Sequence, residues 1–262
     1  MSISSDIGAA LAKQRLATGW RVAGTYRKKS SEMDKLAQQG AVLFPADFAS
    51  RPSVKKSCDE MQQAMGSWNE LIVAPGTMEP IGRFETLDFE QWAESVDINF
   101  INQLCAVHRL LPARGENAQV IFFAGAATNG TADCFSAYAI SKIALIKMTE
   151  LLDSEMPDVR FSIVGPGWVR TKIHQETLRA EDRCEASFQA TVQHLEQDDF
   201  VAMDKVVACI DWLSQQEKAA VGGRNISTQY DQWARAGFAE LLEQHADFGK
   251  LRRSGNRELN LP

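Results

Sequence analysis

Six short apolar or β-branched runs punctuate the chain: RVAGTY (21–26), AVLFPA (41–46), ELIVA (70–74), QVIFFA (119–124), RFSIVG (160–165) and NISTQ (225–229). Longer stretches with helical patterning lie near 6–18, 32–39, 52–65, 89–112, 136–155 and 204–215. In one of them Leu145, Met148 and Leu152 recur at i, i+3 and i+7, an apolar stripe of helical period. It serves either the core or a helix–helix interface. Runs that are apolar almost throughout predict strands covered on both faces, and strand–helix alternation predicts a parallel sheet. The expected fold is therefore α/β, a doubly wound, mostly parallel sheet with helices on both faces. Ligands of such folds bind beyond the carboxyl ends of the strands. No repeat or Pro/Gly/Ser linker divides the sequence, so residues 1–262 are expected to form a single domain.

Composition changes this picture little. The chain has 262 residues, 45% hydrophobic and 24% charged, with a net charge of −6. A pI near 5.4 leaves no basic surface for nucleic acid or anionic lipid. The apolar runs are far too short to cross a bilayer, and no apolar h-region follows the start. Cys58, Cys105, Cys134, Cys184 and Cys209 are scattered without a C-x-x-C pair, so neither a disulfide framework nor a zinc site is expected. The cytoplasm is the expected location.

The opening stretch, MSISSDIGAALAKQRLATG, has the form of a strand-to-helix turn. Ser4 and Ser5 are N-cap candidates, and Gly8 lets backbone approach a ligand closely. The free N–H groups and dipole of such a helix start suit a pyrophosphate. Yet no strand precedes the turn. Three or four buried apolar side chains of a central strand are worth roughly 5–10 kcal/mol, comparable with the ~5–15 kcal/mol stability of a whole domain. The expectation is that the natural polypeptide starts upstream of Met1, with a decayed paralogue as the alternative.

Further along, SAYAISK sets Tyr138 and Lys142 four apart, on one face of a helix. A nearby ammonium favours the phenolate and is expected to bring the tyrosine pKa down from about 10. DINF (97–100) comes before this pair, and IVGPGWVRTKIH (163–174) and VGGRNISTQYDQW (221–233) follow it. In this order the motifs resemble the short-chain dehydrogenase/reductase family, over about residues 1–235, and imply a Rossmann-type fold. The resemblance implies that Tyr138 is the catalytic acid–base, that Lys142 lowers its pKa and holds the nicotinamide ribose, and that Asn99 supports the lysine through water. Pro166, Gly167 and Thr171 match the turn beside the nicotinamide. Ser4, Ser5, Asp6, Ile7 and Gly8 match the phosphate loop, with Asp6 in place of its middle glycine. Asp47 resembles the aspartate at the adenine, and Gly76 is what remains of the motif ending the fourth strand, here VAPG.

In NAD-preferring members an acidic residue follows the second strand; here GTYRKK brings Tyr26 and then Arg27, whose guanidinium suits a 2′-phosphate. NADP(H) is expected over NAD(H). The family's catalytic serine falls thirteen residues before the tyrosine, at Gly125. Losing such a donor typically costs about 10²–10³ in rate, and Thr128 or Asn129 are the candidate replacements. No metal is expected.

The resemblance thus implies an NADP(H)-dependent oxidoreductase interconverting a carbonyl and a secondary alcohol on a small molecule, as a homodimer or homotetramer. The alternative is a non-catalytic relative that binds a nucleotide, metabolite or partner. A sugar-nucleotide epimerase would need a larger C-terminal domain. Residues 174–200 match the family's substrate lid, with His174 expected to be solvated. Residues 236–262 read as a C-terminal tail whose end, FGKLRRSGNRELNLP, is basic and polar and is expected to be a surface or subunit-contact segment. Trp168 is a candidate for the pocket border, and Trp20, Trp92 and Trp212 are expected in the core.

Overall fold

The computed structural model describes residues 1–125 and 130–254. Six parallel strands are present: β1 (Ala23–Tyr26), β2 (Val42–Pro45), β3 (Trp68–Val73), β4 (Arg114–Phe123), β5 (Arg160–Gly165) and β6 (Asn225–Ser227). The helices between them are α1 (Asp6–Ala17), α2 (Ser31–Gln38), α3 (Arg51–Met65), α4 (Phe89–Val96), α5 (Asn102–Leu110) and α6 (Ser136–Glu155). Then come α7 (His174–Leu178), α8 (Glu185–Gln197), α9 (Met203–Gln215), α10 (Lys218–Val221) and α11 (Phe238–Gln244). The sequence reading ran 89–112 as one helix. The structure breaks it between α4 and α5 with a π-turn at Asp97–Ile101, the kind of bulge that is frequent at functional sites.

Alternation along the strands explains the layering. Val120 and Phe122 of β4, with Phe161 and Ile163 of β5, pack against α3, α5 and α6. Ile121 and Phe123, with Val164 and Ile226, face α1, α9 and α11. The period of two sends neighbouring residues to opposite layers, so the carboxyl halves of β3 to β5, Leu71–Val73, Val120–Phe123 and Phe161–Val164, are apolar almost throughout. Each fully buried side chain such as Phe122 contributes about 1.5–3 kcal/mol. The stripe on α6 belongs here: Leu145 and Leu152 are buried in this core and Met148 packs on it, so its role is the core.

The sheet has two parts, β2–β1 and β3–β4–β5–β6. Met1–Ile3 lies between them. Its terminal amino group donates to Ile72 O, Ala74 N donates to Met1 O at 3.2 Å, and Ile3 N donates to Thr25 O at 2.8 Å. Ser2 N adds a bond to Thr25 Oγ1 at 2.7 Å. These three residues therefore occupy the carboxyl end of the slot that a central first strand would fill. Behind them, Arg15 of α1 is buried against Glu70 of β3 at 2.7 Å, and its guanidinium also meets Asp211 of α9. Glu70 in turn accepts from Gln119 Nε2 at 2.9 Å and Ser214 Oγ at 3.0 Å.

Two expectations fail in this layer. Trp20 is exposed, lying beside the Arg15 guanidinium rather than in the core, because α1 ends at Ala17 and leaves it on a surface turn; Trp92 and Trp212 are half-buried. The segment after 236 is not merely a surface tail. Phe238 and Leu242 are buried, Asn225 N donates to Gly249 O at 2.7 Å, and Arg224 donates to the carbonyls of Leu242, His245 and Phe248. Its apolar i and i+4 positions close the free edge beside β6.

Candidate active site

One cleft of about 580 Å³ runs along the carboxyl ends of all six strands. Tyr26 and Arg27 after β1, Asp47 after β2 and Ala74–Met78 after β3 line one end, with Ser2, Ser4, Ser5, Asp6 and Ile7 in the middle. Phe123–Gly125, Tyr138, Lys142 and Gly165–Val169 form the other end, roofed by His174 and Glu176 of α7.

Tyr138 and Lys142 sit one turn apart on α6, both buried, with the ammonium 5.6 Å from the tyrosine ring centroid. Lys142 Nζ donates to Phe123 O at 3.0 Å. Burial lowers the lysine from 10.5 to about 8. The tyrosine does not behave as the sequence suggested. Burial, with the Glu176 carboxylate adding to it, pushes Tyr138 from 10.0 up to about 12. Desolvating a phenolate costs more here than a neighbouring ammonium, itself weakened by burial, returns.

Gly125 explains how the tyrosine packs. A Cβ at that position would stand 2.5 Å from Tyr138 Oη and under 3 Å from two ring carbons, so the tyrosine fills the space a serine side chain would need. Thr128 and Asn129 lie outside the described residues. Asn99, at the centre of the π-turn, is fully buried. Its side chain accepts from Thr77 N at 3.1 Å and donates to Thr77 O at 2.9 Å and Ser95 Oγ at 3.2 Å. It thus fastens the loop after β3, the one that carries Gly76, and does not itself line the cleft.

At the phosphate loop Ser5 is the N-cap of α1, accepting from Gly8 N at 3.0 Å. Gly8 backs the loop rather than lining the cleft: a Cβ there would collide with Ser2 O. Asp6 points across the cleft, where its Oδ2 accepts from Lys172 N at 2.7 Å and its Oδ1 lies 3.3 Å from Lys172 Nζ. Asp47 Oδ1 accepts from Ala49 N at 3.0 Å, which orders the turn after β2. Pro166, Gly167 and Thr171 line the cleft.

Pattern reading missed Glu176. Its Oε2 accepts from Thr77 Oγ1 at 3.1 Å, Met78 N at 2.6 Å and Glu79 N at 3.3 Å, latching α7 to the loop after β3. No spacing signal announces a contact made across about a hundred residues. His174 is not solvated either. It stacks on Trp168 at 4.8 Å while His194 of α8 stacks on the same indole at 4.2 Å. Burial lowers the His174 pKa below its ordinary value.

The family profile described as Enoyl-(Acyl carrier protein) reductase matches residues 3–229. The chain belongs to the short-chain dehydrogenase/reductase family. An uncharacterised oxidoreductase of Schizosaccharomyces pombe is 28% identical over 133 residues, which are 50% of this chain and 53% of that one. The chain spans about half the length of the curated relatives it matches. A solved short-chain dehydrogenase/reductase of Saccharomyces cerevisiae superposes with a TM-score of 0.78 at 19% identity, over 89% of this chain and 96% of that one. A short-chain dehydrogenase of Burkholderia cenocepacia in complex with NADP superposes with a TM-score of 0.71 at 23% identity, over 86% and 93%. These likenesses show the doubly wound fold of the family. Among the described residues no helix is long and apolar enough to cross a membrane, and no group of three or more His, Cys, Asp or Glu is arranged to hold a metal.

Proposed function

We propose that the protein is a nicotinamide-dependent oxidoreductase, using NADP(H) in preference to NAD(H), that interconverts a carbonyl and a secondary alcohol on a small molecule. The burial of Tyr138 and Lys142 together at one end of a cleft whose other end carries Arg27 supports this reading most. The NADP held by the Burkholderia relative supports the choice of cofactor. The donor set suits a dinucleotide at both ends: a guanidinium for a 2′-phosphate at Arg27, serine hydroxyls beside the start of α1, and the glycine turn at Gly167. Asp6 opposes it, by putting a carboxylate beside the pyrophosphate position.

When bound, the cofactor supplies the hydride. The chain's own residues handle orientation and the proton. Tyr138, protonated at neutral pH, holds the proton that a carbonyl oxygen takes on reduction. Lys142, lowered to about 8, remains largely cationic at pH 7 and attracts the electron density left on the phenolate. Asn99 keeps the loop bearing Gly76 in place. Glu176 latches α7 to the loop after β3 and His174 stacks on Trp168, which roofs the Tyr138 end of the cleft. The lid (174–200) is expected to choose the substrate, and a homodimer or homotetramer is the expected assembly.

A second reading, a non-catalytic nucleotide- or partner-binding relative, draws on Gly125 and on the Asp6–Lys172 contact. Fluorescence titration with NADPH and NADH, followed by turnover of ketones and aldehydes by wild type and Tyr138→Phe, separates the two. Saturable NADPH binding with a slow turnover abolished in the variant supports the oxidoreductase. Binding with no turnover supports the second reading.

A further inference from the structure

Outside the cleft, two cysteines fifty residues apart in sequence meet in space. Cys134 lies in the loop leading to α6, with a left-handed backbone at φ 69°. Cys184 is the residue before α8, in the lid. Each thiol reaches the carbonyl of the residue preceding the other: Cys134 Sγ to Arg183 O at 3.7 Å, and Cys184 Sγ to Asp133 O at 3.7 Å. This reciprocal crossing brings the two thiols into one pocket, where Cys184 Sγ also lies 3.3 Å from Ser187 Oγ. Both side chains pack in one small apolar cluster with Ile81 and Ala180, flanked by Met78 and Phe135. Burial, with the neighbouring Cys184 thiol adding to it, pushes the Cys134 thiol up to about 11. The rest of the lid is held by Glu176 on the loop after β3 and by the histidines on Trp168, so a covalent link at Cys184 would complete its attachment on the α6 side.

We propose that Cys134 and Cys184 are a dithiol–disulfide site that, when oxidised, tethers the lid to the loop preceding the Tyr138 helix.

The oxidant is a small disulfide of the glutathione class. Cys134 is the accessible member, half-buried along a shallow groove with Gly82, Phe84 and Thr131, whereas Cys184 is buried. The Cys134 thiolate attacks one sulfur of the oxidised tripeptide and breaks its S–S bond. The first reduced glutathione leaves and takes up the proton Cys134 gave to solvent. The Cys184 thiolate then attacks Cys134 Sγ in the mixed disulfide, expelling the second glutathione, which takes up the second proton. Two protein thiols lose two electrons in all, and one oxidised glutathione becomes two reduced ones. The thiol held near 11 makes the first attack slow at neutral pH.

The test is to incubate the full chain with oxidised glutathione at pH 8.5 and map its disulfides by peptide mass spectrometry, then compare amide hydrogen exchange of the reduced and oxidised forms. The expected result is a Cys134–Cys184 link, loss of two hydrogen masses from the intact protein, and exchange across 174–197 slowed by about tenfold. In Cys184→Ser the reaction is expected to stop at a glutathione adduct on Cys134. A persistent adduct on Cys134 of the wild type, a link between other cysteines, or no reaction after a day would overturn the pairing. A Cys134–Cys184 link that leaves exchange in the lid unchanged would overturn the tether. The wild-type map alone decides the pairing if Cys184→Ser does not fold.

Discussion

The hydroxyl of Tyr138 occupies the volume that a side chain at Gly125 would need, with a virtual Cβ at Gly125 only 2.5 Å from Tyr138 Oη. The two positions are coupled by sterics as well as by chemistry. Restoring the serine of the family pattern is therefore not a simple gain. Gly125→Ser is expected to force the buried ring aside and to destabilise the fold by about 1–3 kcal/mol, the usual cost of overpacking. Urea unfolding of the two proteins measures it, and an unchanged midpoint would show that Tyr138 moves freely.

Lys142 gives a pH dependence with a definite sign. Its pKa falls from 10.5 unfolded to about 8 folded, so between those values the unfolded chain binds more protons and stability rises with pH. The wild type bears its full penalty below about pH 8 and sheds it by about pH 10.5. Lys142→Met lacks this term. Its stability relative to wild type is expected to fall by up to about 3 kcal/mol as pH rises through that window. Denaturant melts of both proteins at pH 7, 9 and 10.5 check it; a constant difference would contradict the buried ammonium.

Asp6 is expected to weaken anion binding. Its carboxylate takes the Lys172 N–H and faces the ammonium of the same residue, two donors that line the cleft. Asp6→Gly should tighten NADPH binding by about tenfold, through loss of a like charge and release of Lys172. Lys172→Ala should weaken it, and in the double variant the gain from Asp6→Gly should shrink. Equal affinities in all four proteins would mean that the contact does not compete with the ligand.

Glu70 tests the seam behind Met1–Ile3. It is nearly inaccessible and paired with a nearly inaccessible Arg15. Glu70→Ala strands the guanidinium with only Asp211 for charge balance, and should cost about 3–5 kcal/mol. The expected readout is a marked drop in thermal midpoint, with a smaller drop for Glu70→Gln, which keeps one acceptor. Equal effects would assign the loss to packing rather than charge.

Much of this was legible because it is local. Strands β3 to β5 announced themselves as apolar runs, since a sheet covered on both sides leaves polar side chains nowhere to go. The one-turn spacing of Tyr138 and Lys142 survives in any helix. What sequence could not show was the balance of long-range fields. That Tyr138 would be driven up depended on how deeply α6 is covered and on a carboxylate at Glu176, brought in by a lid whose sequence carries no family motif. His174 was misread for the same reason. A lone imidazole in a charged segment looks solvated until the indole of Trp168 is found between two of them. Trp20 erred in the other direction, because hydrophobicity alone does not say on which side of a helix end the chain turns.

The divided sheet gives the cleft a mechanical meaning. Arg27 and Asp47 ride on the two-stranded part, and Tyr138, Lys142 and the Pro166 turn on the four-stranded part, while Met1–Ile3 sews the two together. A molecule long enough to touch both ends of the cleft would act as a brace across that stitching. Its binding energy would then appear partly as resistance of the β1–β2 unit to swinging away from the rest, so that occupancy and rigidity rise together.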